Sequence, residues 1–483
     1  VLISRSTEFC IIILIQFYMN KNDTTWKDLF SNGNGLKATT LALGVMLHAT
    51  NVYLATTIMP SIIKEIGGLE YYAWNTTIFI VASVIGSVVS ANHMGKSGPR
   101  KAYQIGILLF TVGVLLCSLA PTMYVLLLGR FIQGFGGGLL FALSYAMIRL
   151  IFAEKLWSRA MALISGMWGV AAFSGPFIGG IFAEHGHWRM AFGVLLIFCV
   201  FLFILSSKTL PKTKPQEKVS QIPYLKLLLL GLAALTVSIG SIQKNIVGSL
   251  IGICVAFLLL LILVISEKNS KNRLLPTGAY KISSQLGTTY SIMALLTIAT
   301  SIEIYVPYFA QIIDGLSPLE SGYLTVLIAI GWTLSSILFS GIKGNRVNKI
   351  ILFGAFVMLI GMLGLCYFSI ATLHTFTMKL IIECTFLLLI GIGIGMGWPH
   401  LLTKVFSLSP KGEEDLTSSS VTTVQLIATS FGAAIAGLVT NFGGITNPGG
   451  IIGTTQASIY LYASFAIAPL LAIILCLMLK KTK

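Results

Sequence analysis

Fourteen stretches long and apolar enough to cross a bilayer, separated by short polar connections, constrain this chain more than any other feature of its sequence. A hydrocarbon core of roughly 30 Å needs about twenty apolar residues in helical form, and a backbone without water must satisfy its polar groups inside the helix. The charge-poor runs predict helices over 36–61, 71–91, 101–120, 123–148, 158–182, 188–207, 223–242, 246–266, 285–312, 318–341, 347–369, 376–401, 416–442 and 457–479. Only 10% of the 483 residues are charged, against about a quarter in a soluble protein, so lipid is the expected solvent. Phe9 to Met19 is apolar but about half the length of a span. It reads as a signal-like segment, an interfacial segment or sequence upstream of a start at Met19, and residues 1–18 carry no functional weight.

A net charge of +16 would point to nucleic acid in a soluble protein, but here the basic residues sort by membrane side. With the N-terminus in the cytoplasm, the termini and the even-numbered connections hold all but five of the 32 Lys and Arg residues. Lys64, Arg189, Lys244 and Lys379 fall on the opposite side, and Arg130 lies within a helix. That asymmetry supports an even span count, a multi-pass protein of the cell (inner) membrane, and two cytoplasmic termini. Cys117, Cys199, Cys254, Cys366, Cys384 and Cys476 fall in predicted spans and Cys10 in the leading segment, without metal-ligand spacing. Neither a metal site nor a disulfide framework is expected.

Two polar breaks, 208–222 and 267–284, divide the chain. The division predicts an N-terminal cytoplasmic segment over 1–35, a six-helix bundle over 36–207, a linker over 208–222, an inserted two-helix hairpin over 223–266, a second linker over 267–284 and a second six-helix bundle over 285–480. Two repeats that rock against one another are a common route to alternating access.

The fourth span contains Leu128-Gly-Arg130-Phe-Ile-Gln133-Gly134-Phe-Gly136-Gly137-Gly138, and the fifth Gly169-Val-Ala-Ala-Phe-Ser-Gly175-Pro176-Phe-Ile-Gly179-Gly180, followed by Trp188-Arg189. In the second half, Tyr305-Val-Pro307-Tyr308-Phe-Ala-Gln311 leads to Leu316-Ser-Pro318-Leu-Glu320-Ser-Gly322, and Gln425 precedes Gly432 and Gly437. These strings resemble the fourteen-helix drug:proton antiporter (multidrug efflux) branch of the major facilitator superfamily, over nearly the whole chain after residue 36. The resemblance implies an all-α membrane fold of two six-helix bundles plus an inserted hairpin. It implies a fourth-helix motif of Arg130, Gln133, Gly134 and Gly138, and an antiporter-type motif of Gly169, Gly175, Pro176, Gly179 and Gly180. Small residues also let membrane helices approach closely, so each glycine has a packing explanation as well.

Two departures from the family pattern bear on mechanism. In the gate loop Gly95, Gly98, Arg100, Lys101, a glycine stands at 95 where the family carries an aspartate. Nine residues before Pro60, Asn51 replaces a second aspartate, and an amide cannot exchange a proton near neutral pH.

Among the acids, only Glu303 and Glu383 lie well inside predicted spans. An ionised acid at the bilayer centre costs about 2.5–3.5 kcal/mol on insertion scales, so each needs a local reason to be there. Burial favours the protonated form and a neighbouring cation the ionised one, the opposing demands an exchanger needs. Pairing with another helix, or snorkelling to the interface, is the bland alternative. His48, one turn before Asn51, shares its face and is a further coupling candidate. Arg130 needs carbonyl, amide or carboxylate partners, for coupling or for clamping helices. His400 and Lys404, at a helix end, are expected to meet solvent. Trp168, Trp332, Trp398, Tyr53 and Tyr305 are candidates for a promiscuous aromatic pocket or for ordinary packing.

The reading is therefore a secondary transporter acting as a monomer without cofactor, exchanging protons for lipophilic or cationic small molecules. The alternative is a facilitator or uptake carrier for a specific metabolite, siderophore or lipid-like molecule, motivated by Asn51 and Gly95. No nucleotide-binding loop, metal-ligand cluster or activated nucleophile argues for an enzyme.

Overall fold

The computed structural model describes residues 25–31, 33–212, 223–243, 246–268, 270, 273–370 and 375–479. The apolar run at 9–19 and most of the 208–222 linker lie outside the described residues. Within them the regular structure is entirely helical, and fourteen helical spans are long and apolar enough to cross a membrane. These are α1 (Asn34–Ile66), α2 (Trp74–Ser97), α3 (Pro99–Ser118), α4 (Met123–Ile151), α5 (Trp157–Glu184), α6 (Trp188–Thr209), α7 (Tyr224–Ser241) and α8 (Ile246–Lys268). Then follow α9a (Gln285–Thr300) with α9b (Val306–Ile313), α10 (Pro318–Phe339), α11 (Arg346–Ile370), α12 (Phe376–Ser407), α13 (Glu414–Phe442), and α14a (Gly450–Phe465) with α14b (Ile467–Met478).

Local chemistry sets the boundaries. At α10, Ser317 caps the helix by accepting the Glu320 N–H at 3.3 Å, Glu320 returns the bond to the Ser317 N–H at 2.9 Å, and Pro318 occupies the first turn. Between α2 and α3 the chain turns on Gly98 at φ +77°, followed by Pro99. Two spans are interrupted because a proline cannot donate to the carbonyl four residues earlier. Pro307 frees the carbonyl of Glu303, and the chain passes from α9a to α9b through a 3-10 turn over Ser301–Ile304. Pro469 frees that of Phe465, where α14a gives way to α14b. The fourteenth span begins at Gly450, seven residues before the apolar run, because Gly, Thr and Gln are carried into its first turns. α1 and α12 likewise extend past the predicted 61 and 401 by including the Lys64 and Lys404 turns.

α4 packs on α2 and α3, α5 on α1, and α12 on α10 and α11. The halves join through α5 against α10 and α2 against α13. Their closest approaches lie toward the face remote from the start of α1, called here the far face. There a Cβ on Gly180 would sit 2.6 Å from Leu319 Cα, and one on Gly437 2.7 Å from Ala73 Cβ. Asn441 donates to the carbonyls of Glu70 and Ser241 at 3.0 Å. Moving down α5, Gly169 and Gly166 meet nothing within 4 Å. α5 is thus flush with its neighbours at one end and leaves open space beside Gly166 and Gly169, although Ala160 and Ile164 on the same helix are buried.

The inserted pair is asymmetric. α7 is wedged against α2 and α13, where Trp74 donates its indole N–H to the Ser238 carbonyl at 3.0 Å. α8 packs mainly on α7 and shows most of its apolar side chains outward, Phe257 and Leu258 among them. At the open end of the hairpin, Lys226 and Glu267 form a buried ion pair. Glu267 also accepts the backbone N–H of Leu274 at 3.0 Å and the Tyr280 hydroxyl at 3.3 Å, fixing the following connection to the hairpin.

Candidate functional site

Polar groups gather at three places inside the helical core. The first is in the N-terminal half. Arg130, 1% exposed, donates Nη1 to Gln133 Oε1 at 2.7 Å and Nε to the Asn75 carbonyl at 3.2 Å, and lies 4.2 Å from the Phe79 ring centroid. Gln133 in turn donates Nε2 to Asn51 Oδ1 at 2.8 Å. One chain of bonds therefore ties α4 to α2 and α1, and no carboxylate stands within ion-pair distance of Arg130 among the described residues. The glycines beside it explain how the helices come so close. A Cβ on Gly134 would lie 2.2 Å from the Phe79 carbonyl oxygen, and one on Gly138 2.1 Å from that of Ser83.

His48 does not bond to Asn51 despite sharing its face. Its ring packs 5.3 Å from Phe79, 5.5 Å from Phe141 and 6.1 Å from Trp168, with Nδ1 lacking a hydrogen-bond partner and facing Gly137. Gly175 and Gly179 of the fifth-helix string lie against α1, where a Cβ would sit 2.5 Å from Tyr53 Cβ and 3.1 Å from the Leu54 carbonyl oxygen. Pro176 is nearly touched by Gly322 of α10, whose added Cβ would lie 3.3 Å away. In the gate loop Arg100 donates Nε to the Leu210 carbonyl at 2.6 Å, Gly95 is buried, and Lys101 is exposed. That loop is anchored to the end of α6. The Trp188-Arg189 pair holds Glu65, with Trp188 Nε1 donating at 2.6 Å and Arg189 forming an ion pair.

The second place is the break in α9. Glu303 is half-buried in the 3-10 turn, and its carboxylate makes no hydrogen bond or ion pair among the described residues. Tyr53 of α1, from the other half, lies within its electrostatic reach. On its far-face side an aromatic stack crosses the inter-half boundary: Tyr72 stacks on Tyr305 at 4.7 Å, and Tyr305 on Phe309 at 5.7 Å. The half-broken helix leaves Glu303 on a segment with fewer backbone bonds than a continuous span would have.

The third place was only half expected. Glu383 lies 3.8 Å from Lys379 Nζ, and the same amine forms a closer ion pair with Asp314, at the end of α9b. The cluster borders a cavity of about 30 Å³ that Tyr462 and Ser369 also line.

Residues 41–433 match the Major Facilitator Superfamily. The chain belongs to that superfamily. It is 33% identical over 452 residues to a probable multidrug-efflux transporter of Mycobacterium tuberculosis, covering 92% of this chain and 94% of the relative. It is 27% identical over 421 residues to the multidrug transporter protein MdtP of Bacillus subtilis, covering 84% and 75%. The fold matches a D-xylose-proton symporter with a TM-score of 0.64 at 13% identity, over 93% of this chain and 98% of that one. It also matches a peptide transporter, at 0.65 and 13%, over 90% and 93%. The facilitator chain is a multi-pass integral membrane protein.

Sequence reasoning missed Asp314 and Tyr462, because α9b, α12 and α14a are distant in sequence, and it missed Lys379 although that residue lies one turn before Glu383 on the same helix. It also missed the Lys226–Glu267 pair, although a base opening one helix and an acid closing the next was a usable signal. His400 and Lys404 correct an expectation: both are 5% exposed, and His400 Nε2 lies 2.9 Å from the Phe339 carbonyl oxygen. They end a helix in sequence, but α10 and α14 cover that end. The aromatic candidates do not form one wall. Trp332 and Trp398 pack edge to face at 5.1 Å, whereas Trp168 sits beside His48.

Proposed function

We propose that this transporter exports lipophilic, neutral or cationic small molecules in exchange for protons, by alternating access of two six-helix bundles over 36–207 and 285–480. Glu303 is the carboxyl that holds either a proton or the cargo's charge, Tyr53 faces it from the first half, and Glu383 is a secondary acid. Arg130, Gln133, Asn51 and His48 serve as the rigid core against which the second half moves. The hairpin 223–266 is an insertion at the seam, both termini are cytoplasmic, and the working unit is a monomer.

The observation that carries this reading is the unpaired Glu303 carboxylate, set in a broken helix opposite the other half. A buried acid with a permanent basic partner could not give up its charge, whereas an unpartnered one is free to exchange a proton for a cation. Relatives described as a probable multidrug-efflux transporter and as a multidrug transporter protein support the substrate class. In everted vesicles, adding a lipophilic cation should release protons, and Glu303→Gln should abolish that release. Cargo flux indifferent to a proton gradient would instead favour the facilitator reading.

A further inference from the structure

The cavity between α9b, α11, α12 and α14a contains the secondary acid Glu383 but not Glu303, the carboxyl on which the exchange scheme is built. It lies inside the C-terminal half and is bordered by Asp314, Lys379 and Glu383, with Val306, Phe309 and Leu387 closing it with apolar surface. Formally two carboxylates face one ammonium. Asp314 takes the close contact with Lys379, and Glu383 stands off at 3.8 Å, beyond hydrogen-bond distance. One carboxylate is therefore left without a close basic partner where α9b ends and α12 begins.

A second observation points to a ligand. Tyr462, 6% exposed, lines the same cavity with a hydroxyl that makes no hydrogen bond among the described residues, within electrostatic reach of both Glu383 and Asp314. The side chain is largely buried, and its polar end is left to the cavity it lines. The cavity's 30 Å³ exceeds what a single water-sized occupant needs. The donors are all oxygen, from carboxylates and hydroxyls, a set that suits a hard cation and not a soft transition metal.

We infer that this cavity binds one small monovalent cation, held by Glu383, Asp314 and the Tyr462 hydroxyl, with Lys379 as a tethered internal cation that lowers the affinity. A proton on Glu383 competes with the bound ion. The other titratable groups around Glu383 are Lys379 and Cys384 on α12, Asp314 at the end of α9b, Tyr462 on α14a and Cys366 on α11. The inference shares Glu383 with the efflux reading but not Glu303, so the Glu303 variant separates the two.

The test uses the full chain purified in detergent, with sodium as the probe and choline chloride at equal ionic strength as the control. Sodium should raise the apparent Tm at alkaline pH, with the increment shrinking in acid. Glu383→Gln should weaken the apparent sodium affinity about tenfold or more, and Lys379→Met should tighten it by a similar factor, because ligand charge sets affinity at such sites. Tyr462→Phe, which keeps the packing, should weaken it about fivefold. Glu303→Gln should leave the sodium response intact, so failure here and failure of the exchange scheme read out separately. Identical Tm values in sodium and choline for the wild-type protein would overturn the proposal. So would an equal sodium response in the wild-type protein and in the Tyr462 and Glu383 variants.

Discussion

The first six helices bury a cation whose near neighbours are carbonyls, amides and an aromatic ring, whereas the last six hold half-buried carboxyl groups that are left unbonded or share a single amine. Arg130 reaches two acceptors, and Gln133 passes the connection on to Asn51, so three helices are tied by one chain of bonds. Glu303 sits instead on a 3-10 turn with no bond to its carboxylate among the described residues. A polar group fully satisfied in a low-dielectric core rigidifies it, and one left unsatisfied stores the free energy that a ligand or proton can release. The contrast underlies the proposal that the Arg130 chain of bonds is scaffold and that the Glu303 carboxyl is the exchangeable charge.

The largest expected effect tests that assignment directly. Glu303→Gln should reduce proton-coupled efflux to the level of cells lacking the transporter while changing stability by no more than about 0.5 kcal/mol, since no native bond is broken. Efflux assays and thermal unfolding of the same preparation check both halves of the statement. Arg130→Met should behave in the reverse sense. It strips Gln133 Oε1 and the Asn75 carbonyl of a buried donor and should cost about 1–3 kcal/mol in detergent unfolding. A stable Arg130→Met protein that has lost its proton response would place coupling in both halves and break the comparison.

Glycine substitutions sharpen it further. Gly138→Val would drive a side chain into the backbone of α2, where even a Cβ stands 2.1 Å from the Ser83 carbonyl oxygen, and should cost about 1–3 kcal/mol. Gly169→Ala enters open space and should stay within about 0.5 kcal/mol by the same unfolding measurement. A further small effect lies outside the spans. Glu413 accepts the Thr277 hydroxyl and backbone N–H at 2.6 Å, with Arg273 at 3.6 Å, and these contacts hold its carboxyl below the ordinary range. A lowered folded-state pKa stabilises above the unfolded value of about 4.3 and is lost as pH falls through the lower folded one. Glu413→Gln should therefore cost about 1 kcal/mol or less at neutral pH, and the difference from wild type should vanish in acid.

Helix number and approximate span positions were legible in the sequence because each depends on a local run of apolar residues matched to bilayer thickness. Arg130 and its partner Gln133 were legible because they lie three residues apart on one helix and share its face. Glu303 stood out because an acid inside an apolar run is costly wherever the helix packs. What it faces was not legible. Tyr53 is 250 positions earlier in the chain, and only the meeting of α1 with α9b brings the two together. His48 shows the opposite case: helical spacing put it on the face of Asn51, but rings from α2, α4 and α5 enclose it and no bond forms between the two.

By itself the sequence determined a fourteen-span helical chain, the facilitator motifs and the short roster of ionisable groups inside it, because hydropathy and local spacing act within one helix at a time. Tertiary structure alone decided which of those groups are satisfied. Asp314, Lys379, Glu383 and Tyr462 come from three separate spans, and the division between a locked cation and an available carboxyl exists only once the helices are packed. The energy of a buried charge is fixed by what lies within a few ångströms of it, and in a polytopic bundle those neighbours come mostly from elsewhere in the chain.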